Sequence, residues 1–368
     1  MTVRIDVDLH ERAYPVVVGT GWLGQIASTV PLPPDAQRAL VITQQSLVDA
    51  GHVAAVEQSL GAAGLEVTRH LVPAGEGAKS VEVLNQLWQA CWDANLTRAD
   101  VVVGVGGGVV GDLGGFAAAT YNRGVAMLQV PTTLLAQVDA AIGGKTGINL
   151  PGGKNLVGAF HQPLAVACDV ATLSSLPPRV LREGLGEVVK YGFSHDPVLL
   201  ELLEQHSDDV LAGDVALLDQ IVQRSAAVKA QVVAGDERES GQRAFLNLGH
   251  TYGHAVESLT GYSAVLHGEA VAIGLILALK LGVAVGRTPP DLVDRAKRVL
   301  EQVGLPTQGP TLSREEVWNV MARDKKAGPT GVRFVVLDAL AKPVVVTPTR
   351  AQVDAVLDEL ARESSQDA

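Results

Sequence analysis

Short apolar runs recur through the first half of the chain. Residues 39–43, 101–104, 127–130 and 165–168 are dominated by Val, Leu, Ile, Met and Ala. Runs that do not alternate with polar residues suit strands buried on both faces. Between them, residues 76–95 and 111–119 carry helix-like patterns. The alternation predicts a mostly parallel sheet with helices on its faces. Residues 1–8 alternate and carry acids, which reads as a strand and not a signal peptide.

The pattern changes near residue 180. Segments 199–211, 215–234, 250–259, 268–285 and 290–303 all repeat apolar residues at three- and four-residue spacing, the period of a helix. One hairpin-like piece, 332–337 with 343–346, interrupts them. A last helix over 350–362 leads to a polar tail, 363–368, expected to fray. The segment 271–284 is apolar but contains Lys280 and two glycines, and is shorter than the roughly 20 residues of a membrane span. It reads as a buried helix. The expectation is an α/β nucleotide-binding domain over 1–180 and a mainly α-helical domain over 181–368, with the active site between them.

Composition narrows the class. The chain has 368 residues, comfortable for two domains, with 47% hydrophobic and 19% charged residues. Its net charge of -11, with no basic run, makes nucleic acid a poor partner. Any anionic substrate must find lysines and arginines gathered locally against that field. Two cysteines, Cys91 and Cys168, form no disulfide framework and fit a reducing compartment.

Three of the nine histidines fall within one short stretch: His250, His254 and His267. On a helix, His250, His254 and Glu257 share a face. Imidazoles and carboxylates converging on one point are what a divalent metal needs. A turn beyond that helix brings His267 within range of the same point.

Glycine loops supply the second candidate. Val101-Val102-Val103-Gly104-Val105-Gly106-Gly107-Gly108-Val109-Val110-Gly111-Asp112 is a strand running into a loop and a helix. Gly106, Gly108 and Gly111 fit G-x-G-x-x-G, which lets backbone N–H groups approach a pyrophosphate. The acid expected after the next strand is absent; that strand ends in Pro131-Thr132-Thr133. Gly143-Gly144-Lys145-Thr146-Gly147 and Gly152-Gly153-Lys154-Asn155 then put two lysines on glycine loops. A P-loop reading fails, because Asp139 stands where the first glycine must be.

These strings resemble 3-dehydroquinate synthase. Gly106–Asp112, Pro131-Thr132-Thr133-Leu134-Leu135-Ala136-Gln137-Val138-Asp139, Gly143–Gly147, Glu183-Gly184-Leu185-Gly186-Glu187-Val188-Val189-Lys190-Tyr191-Gly192, the His250/His254 string and His267-Gly268-Glu269 follow in the family's order. They cover about residues 12–345. The resemblance implies a dehydroquinate synthase-like fold, bound NAD, one divalent metal (Zn or Co), a cytoplasmic homodimer, and no nucleic-acid or membrane partner. It implies conversion of the sugar acid phosphate DAHP to 3-dehydroquinate, the second step of the shikimate pathway. The chemistry it implies is transient oxidation by NAD, β-elimination of phosphate, re-reduction and internal aldol closure.

The resemblance also implies roles. Glu187, His250 and His267 match metal ligands, which moves His254 from ligand to neighbour. Glu76, Lys79, Gly107, Gly108, Asp112, Thr132, Thr133 and Ser175 match cofactor-binding positions, with Asp139, Lys145 and Lys154 beside them. Asp139, Lys145, Lys154, Asn155, Lys190, Asn247 and His254 match residues around the substrate's hydroxyls and carboxylate. Arg123, Lys229, Arg243 and Lys325 match positions holding its anionic groups. Lys145, Lys190 and His254 are candidates for the proton network. Gln44 and Val180 replace residues that the family often carries near the cofactor. Two other readings stay open: a related sugar phosphate cyclase, and a polyol dehydrogenase that releases NADH.

Overall fold

The computed structural model describes residues 2–239, 241–323 and 331–366. The chain separates into two compact units. One comprises Met1–Leu181 with Val215–Arg238, the other Arg182–Asp214 with Glu239–Ala368.

The first unit is built on a seven-stranded sheet. Its strands are β1 (Val3–Val7), β2 (Tyr14–Gly19), β3 (Arg38–Thr43), β4 (Glu66–Leu71), β5 (Val101–Gly106), β6 (Ala126–Pro131) and, after the β7–β8 hairpin (Lys145–Leu150 and Gly153–Phe160), β9 (Ala165–Asp169). The order is β1-β2-β9-β6-β5-β3-β4. All neighbours are parallel except β1 and β2. The apolar runs are explained by burial on both sides. Ala39, Val41, Val101, Val103 and Val105 enter one core with Ile26, Val53, Val56 and Leu60. Leu40, Ile42 and Val102 enter the other with Leu84, Leu87, Leu113 and Phe116.

Helices α1 (Ile26–Thr29), α2 (Gln45–Asp49), α3 (His52–Ala62), α4 (Val81–Asp93) and α5 (Gly108–Thr120) belong to this unit. The sequence suggested one helix over 76–95. Instead Ser80 accepts a hydrogen bond from the Val83 N–H and caps α4. Glu76 and Lys79 therefore lie in a short 3-10 turn and its exit. Lys145 and Lys154 are not on loops either: they lie within the β7–β8 hairpin.

The second unit contains α7 (Pro197–Leu211), α9 (His250–Leu259), α10 (His267–Ala284), α11 (Asp291–Gln302), α12 (Arg314–Arg323) and α13 (Arg350–Gln366), with most of α6 (Pro178–Ser194). A hairpin of β10 (Phe334–Ala339) and β11 (Lys342–Val346) packs with them. The helical pattern continues to Gln366, past the point where a tail was expected. Helix α10 has the length and hydropathy of a membrane span, yet most of it is buried inside the protein. It is the core helix expected for 271–284.

One helix departs from the expected boundary. Helix α8 (Val215–Gly235) packs on β1, β2 and the turns at 136–140 and 170–175. Its buried face includes Leu218, Ile221, Val222, Ala226 and Val233. Helical periodicity marks that face but cannot say which body covers it.

Asp100 fixes the entry to β5. Its carboxylate accepts from the N–H groups of Gln37 (3.0 Å), Arg38 (2.8 Å) and Thr97 (2.7 Å), and from Thr97 Oγ1 (2.8 Å). Burial alone would raise its pKa, but these donors outweigh burial and hold it below the usual carboxylate range. A depressed folded-state pKa stabilises above the unfolded value, and that stability is lost as pH falls through the folded value. Asp100→Ala should therefore destabilise the protein by about 3 kcal/mol at pH 7. Urea titrations should show the difference from wild type shrinking below about pH 4. A difference that is independent of pH would show that the ionised carboxylate is not what matters.

Candidate functional site

The second unit brings three helices together at one point. Glu187 lies on α6 and is fully buried. His250 and His267 open α9 and α10. Helices α6 and α10 touch backbone to backbone. A Cβ on Gly186 would sit 2.4 Å from the Gly268 carbonyl oxygen, and one on Gly268 would sit 1.7 Å from the Glu183 carbonyl oxygen. No side chain fits there. The residues next to these glycines are Glu187 and His267, so the close approach sets their separation.

Glu187 Oε1 lies 3.2 Å from His250 Nε2 and 3.1 Å from His267 Nε2. One donor atom from each of the three residues falls within 4.8 Å of the others. Ligands of a tetrahedral zinc ion stand about 3.3 Å apart, given bonds of roughly 2.0–2.1 Å. The observed spacing matches that edge.

The hydrogen bonds around the histidines agree. His250 Nδ1 lies 3.2 Å from the Leu248 carbonyl oxygen. A proton on that nitrogen leaves the Nε2 lone pair aimed at a carboxylate oxygen. Two electron pairs facing each other need a cation between them. His267 Nδ1 lies 3.1 Å from Glu257 Oε2. A carboxylate behind an imidazole fixes its tautomer and strengthens it as a ligand. The Glu183 carboxylate also accepts from the His267 backbone N–H (3.2 Å).

Charge points the same way. Burial pushes the His250 pKa down to about 4, against the pull of Glu187. Burial opposes charge on His267 too, but Glu257 and Glu187 outweigh it and raise its pKa to about 10. Burial likewise works against ionised Glu187, yet Lys190 and the histidines hold it well below the carboxylate range. Lys190 Nζ contacts Glu187 Oε2 directly. The pocket is organised around an ionised carboxylate and calls for positive charge beside it.

His254 lies alongside this group. Its ring centroid is 5.4 Å from that of His250 and 6.4 Å from that of His267. The helical-face reading took Glu257 for a fellow ligand; the structure places it behind His267 instead. Asn247 Nδ2 donates to Glu239 Oε1 (2.7 Å), and Arg243 is buried nearby in sequence, on the 3-10 segment Gln242–Asn247. Lys325 lies outside the described residues.

The first unit gathers the other cluster at the carboxyl-terminal edge of its sheet. β5 ends at Gly106, Gly107 caps α5 and Gly108 begins it. A Cβ on Gly107 would sit 3.0 Å from Thr133 Cγ2, so the loop lies close under its neighbour. Gly106 pairs with Pro131, putting Thr132 just beyond. The hydroxyls of Thr132 and of Thr43, on the strand flanking β5 on its other side, are buried and without a hydrogen-bond partner among the described residues. Orphaned polar atoms on both sides of a glycine loop suit a site made for a polar ligand.

Beside them Lys79 is buried. Its Nζ lies 2.7 Å from Asp112 Oδ2 and 3.2 Å from Glu76 Oε1, and it donates to Asn155 Oδ1. Lys154 Nζ is 4.0 Å from Glu76 Oε1. Burial disfavours the Lys79 charge, but Asp112 and Glu76 outweigh it and raise its pKa. Burial acts against ionised Glu76, while Lys79 and Lys154 lower its pKa. Lys229 on α8 reaches Asp139 at 2.6 Å, within a single turn of π-helix, 136–140. Ser175 donates to the Thr172 carbonyl and lies 2.9 Å from His52 Nε2. Lys145 opens β7 and is exposed.

Arg123 is not brought to this cluster by its own chain. It follows the far end of α5, a helix of 13 residues. That length separates it from the glycine loop by about 20 Å. Sequence reasoning missed Asn149, which bonds to both the 76–79 turn and Asn155. An Asn in the string Asn149-Leu150-Pro151-Gly152, entering a turn, was the available signal. It also missed the support that Glu183 gives to His267.

Two family profiles match this chain: 3-dehydroquinate synthase N-terminal over residues 69–183, and 3-dehydroquinate synthase C-terminal over 184–327. The chain belongs to the 3-dehydroquinate synthase family. A 3-dehydroquinate synthase from Nitrosomonas europaea is 43% identical over 92% of this chain and 92% of its own length. Among solved structures, a 2-epi-5-epi-valiolone synthase from Streptomyces hygroscopicus with NAD+ and Zn2+ bound superposes with a TM-score of 0.86. It is 26% identical and covers 95% of this chain and 97% of its own. A 2-deoxy-scyllo-inosose synthase complexed with carbaglucose-6-phosphate, NAD+ and Co2+ also gives 0.86. It is 25% identical and covers 98% of this chain and all of its own.

The geometry makes a prediction about Glu257 that does not depend on turnover. Glu257→Gln keeps size but removes the charge behind His267. Metal affinity should fall by about ten- to a hundredfold. Competition with a chromogenic chelator measures it. Unchanged affinity would mean that His267 needs no such support.

Proposed function

We propose that this member of the 3-dehydroquinate synthase family converts DAHP to 3-dehydroquinate and phosphate, with a divalent metal on Glu187, His250 and His267 and NAD on the glycine loop. The observation that carries the reading is the Glu187–His250–His267 donor set, in a chain that matches both halves of the family. Zn2+ and Co2+ are the favoured ions, since the two solved neighbours carry them. Glu187, His250 and His267 would hold the ion through one donor atom each.

When bound, the metal supplies Lewis acidity to a substrate oxygen, and NAD supplies a hydride acceptor that is restored within each turnover. The chain's own residues do the rest. Gly107 and Gly108 offer a close backbone surface at the start of α5, where N–H groups favour a pyrophosphate. Lys79 lowers the pKa of Glu76 and pairs directly with Asp112, whose own pKa burial raises despite that contact. Thr132, Thr133 and Ser175 complete the proposed cofactor positions.

Lys190 offsets the negative charge of Glu187 and carries protons at Nζ. His254 is a second proton carrier, one helical turn from His250. Asp139, Lys145, Lys154, Asn155, Lys229, Asn247 and Arg243 are the proposed substrate contacts. A protein of net charge -11 needs such cations locally to hold a phosphorylated acid. The cytoplasm and a homodimer are the compartment and assembly we favour.

The related-cyclase reading is weaker: the solved cyclases are 25–26% identical, the curated 3-dehydroquinate synthases 43–46%.

One assay tests the reaction. Purified protein, metal, DAHP and a small molar fraction of NAD should release phosphate far in excess of the NAD supplied. NADH accumulating in proportion to product would mean a net dehydrogenase and would overturn the proposal. His250→Ala should lose both metal and turnover. If His250→Ala kept full metal and full rate, the ligand assignment would be wrong.

A further inference from the structure

The geometry points to Asn149 as a positioning residue that holds the Glu76–Lys79–Asp112 cluster in its working arrangement. This rests on the cofactor reading of that cluster given above. Asn149 is the fifth residue of β7 and is half-buried. Its side chain bonds in two directions at once. Oδ1 accepts from the Asn155 backbone N–H at 2.8 Å. Nδ2 donates to Glu76 Oε1 at 2.9 Å and lies 3.4 Å from the Glu76 carbonyl oxygen. Its own backbone N–H donates to the Lys79 carbonyl at 2.8 Å. The Asn155 N–H can only donate, so the amide oxygen must face it and the NH2 must face Glu76.

These bonds join two pieces of chain that sequence keeps apart. One is the turn that carries Glu76 and Lys79. The other is the tip of the β7–β8 hairpin, where Asn155 takes the left-handed conformation (φ 52°). Asparagine adopts that conformation more readily than most residues, and the bond from its N–H to Asn149 Oδ1 fixes it here. Once held, Asn155 Oδ1 receives Lys79 Nζ. Asn149 therefore fixes both the carboxylate and the amide that flank Lys79.

Two substitutions separate positioning from turn closure. Asn149→Asp keeps an acceptor for the Asn155 N–H but cannot donate to Glu76. Asn149→Ala loses both bonds. Calorimetric titration of NAD into the metal-loaded full chain should give a dissociation constant at least about tenfold higher for both variants. Hydrogen exchange should show the Asn155 amide deprotected in Asn149→Ala and still protected in Asn149→Asp. Metal content should stay at the wild-type level in both.

If Asn149→Asp restores wild-type affinity, the residue only closes a turn and the inference is wrong. It is equally wrong if both variants bind NAD within about threefold of wild type. Wild-type protein that binds no NAD would overturn the cofactor reading itself, a result distinct from either of these. Should Asn149→Ala fail to fold, Asn149→Asp decides alone, because it retains the bond that closes the hairpin tip.

Discussion

The backbone contact between α6 and α10 is the constraint on which the metal-binding half depends. Gly186 and Gly268 let two helices approach more closely than any Cβ allows. Each glycine is the immediate neighbour of a ligand candidate, Glu187 or His267. The same device recurs between α9 and α10: a Cβ on Gly274 would lie 1.9 Å from the Gly249 carbonyl oxygen. Gly249 is next to His250. Three donor side chains are thus placed by main chain packed against main chain, which is stiffer than placement by long rotamers. A 0.1–0.2 Å tolerance in metal–ligand distance asks for that stiffness.

Close packing has an electrostatic consequence. Glu187 is fully buried, with Lys190 beside it. A buried carboxylate is costly unless it is paired and hydrogen-bonded. Lys190 and a protonated His267 supply positive charge beside it. A divalent cation held by Glu187, His250 and His267 would take over the share of His267, with Glu257 behind that ring. His250 is already neutral at physiological pH, because burial has pushed its pKa down to about 4. The two imidazoles thus differ in their surroundings: a carbonyl stands behind His250 and a carboxylate behind His267.

The centre of the sheet was legible because β3, β5, β6 and β9 are buried on both faces, whereas β2 and the largely exposed edge strand β4 were not named from the sequence. The glycine loop was legible because Gly106 to Gly108 sit where a buried strand ends. The β7–β8 hairpin was not. Its glycines look like loop punctuation, and only its antiparallel pairing shows Lys145 and Lys154 on strands. Helix α8 was legible as a helix and misplaced as a packing partner, since periodicity gives a face and not a destination. Helical spacing also misassigned Glu257. It correctly put that carboxylate on the histidine face, but a carboxylate there can bind a metal or bind a ligand's far nitrogen. Only the position of His267, across the following loop at the start of α10, decides between them.

The two clusters use opposite strategies for the same problem, the charge of a buried site. Around Glu187 the balance is left incomplete: Glu187 and Glu257 flank His267, and of the two histidines only His267 is favoured in its charged form. Around Lys79 the balance is closed. Glu76 and Asp112 meet Lys79, with Lys154 nearby, and the group needs no further ion. A site with a charge deficit attracts a cation. A balanced one instead offers fixed hydrogen-bonding groups and a close backbone, which is what a dinucleotide requires. It can only work if its members stay registered, because each is neutralised by a partner on another segment. The turn after β4, the start of α5 and the tip of the β7–β8 hairpin must all meet at Lys79. That demand explains why a half-buried asparagine, carrying no charge and no chemistry of its own, stands where those segments converge.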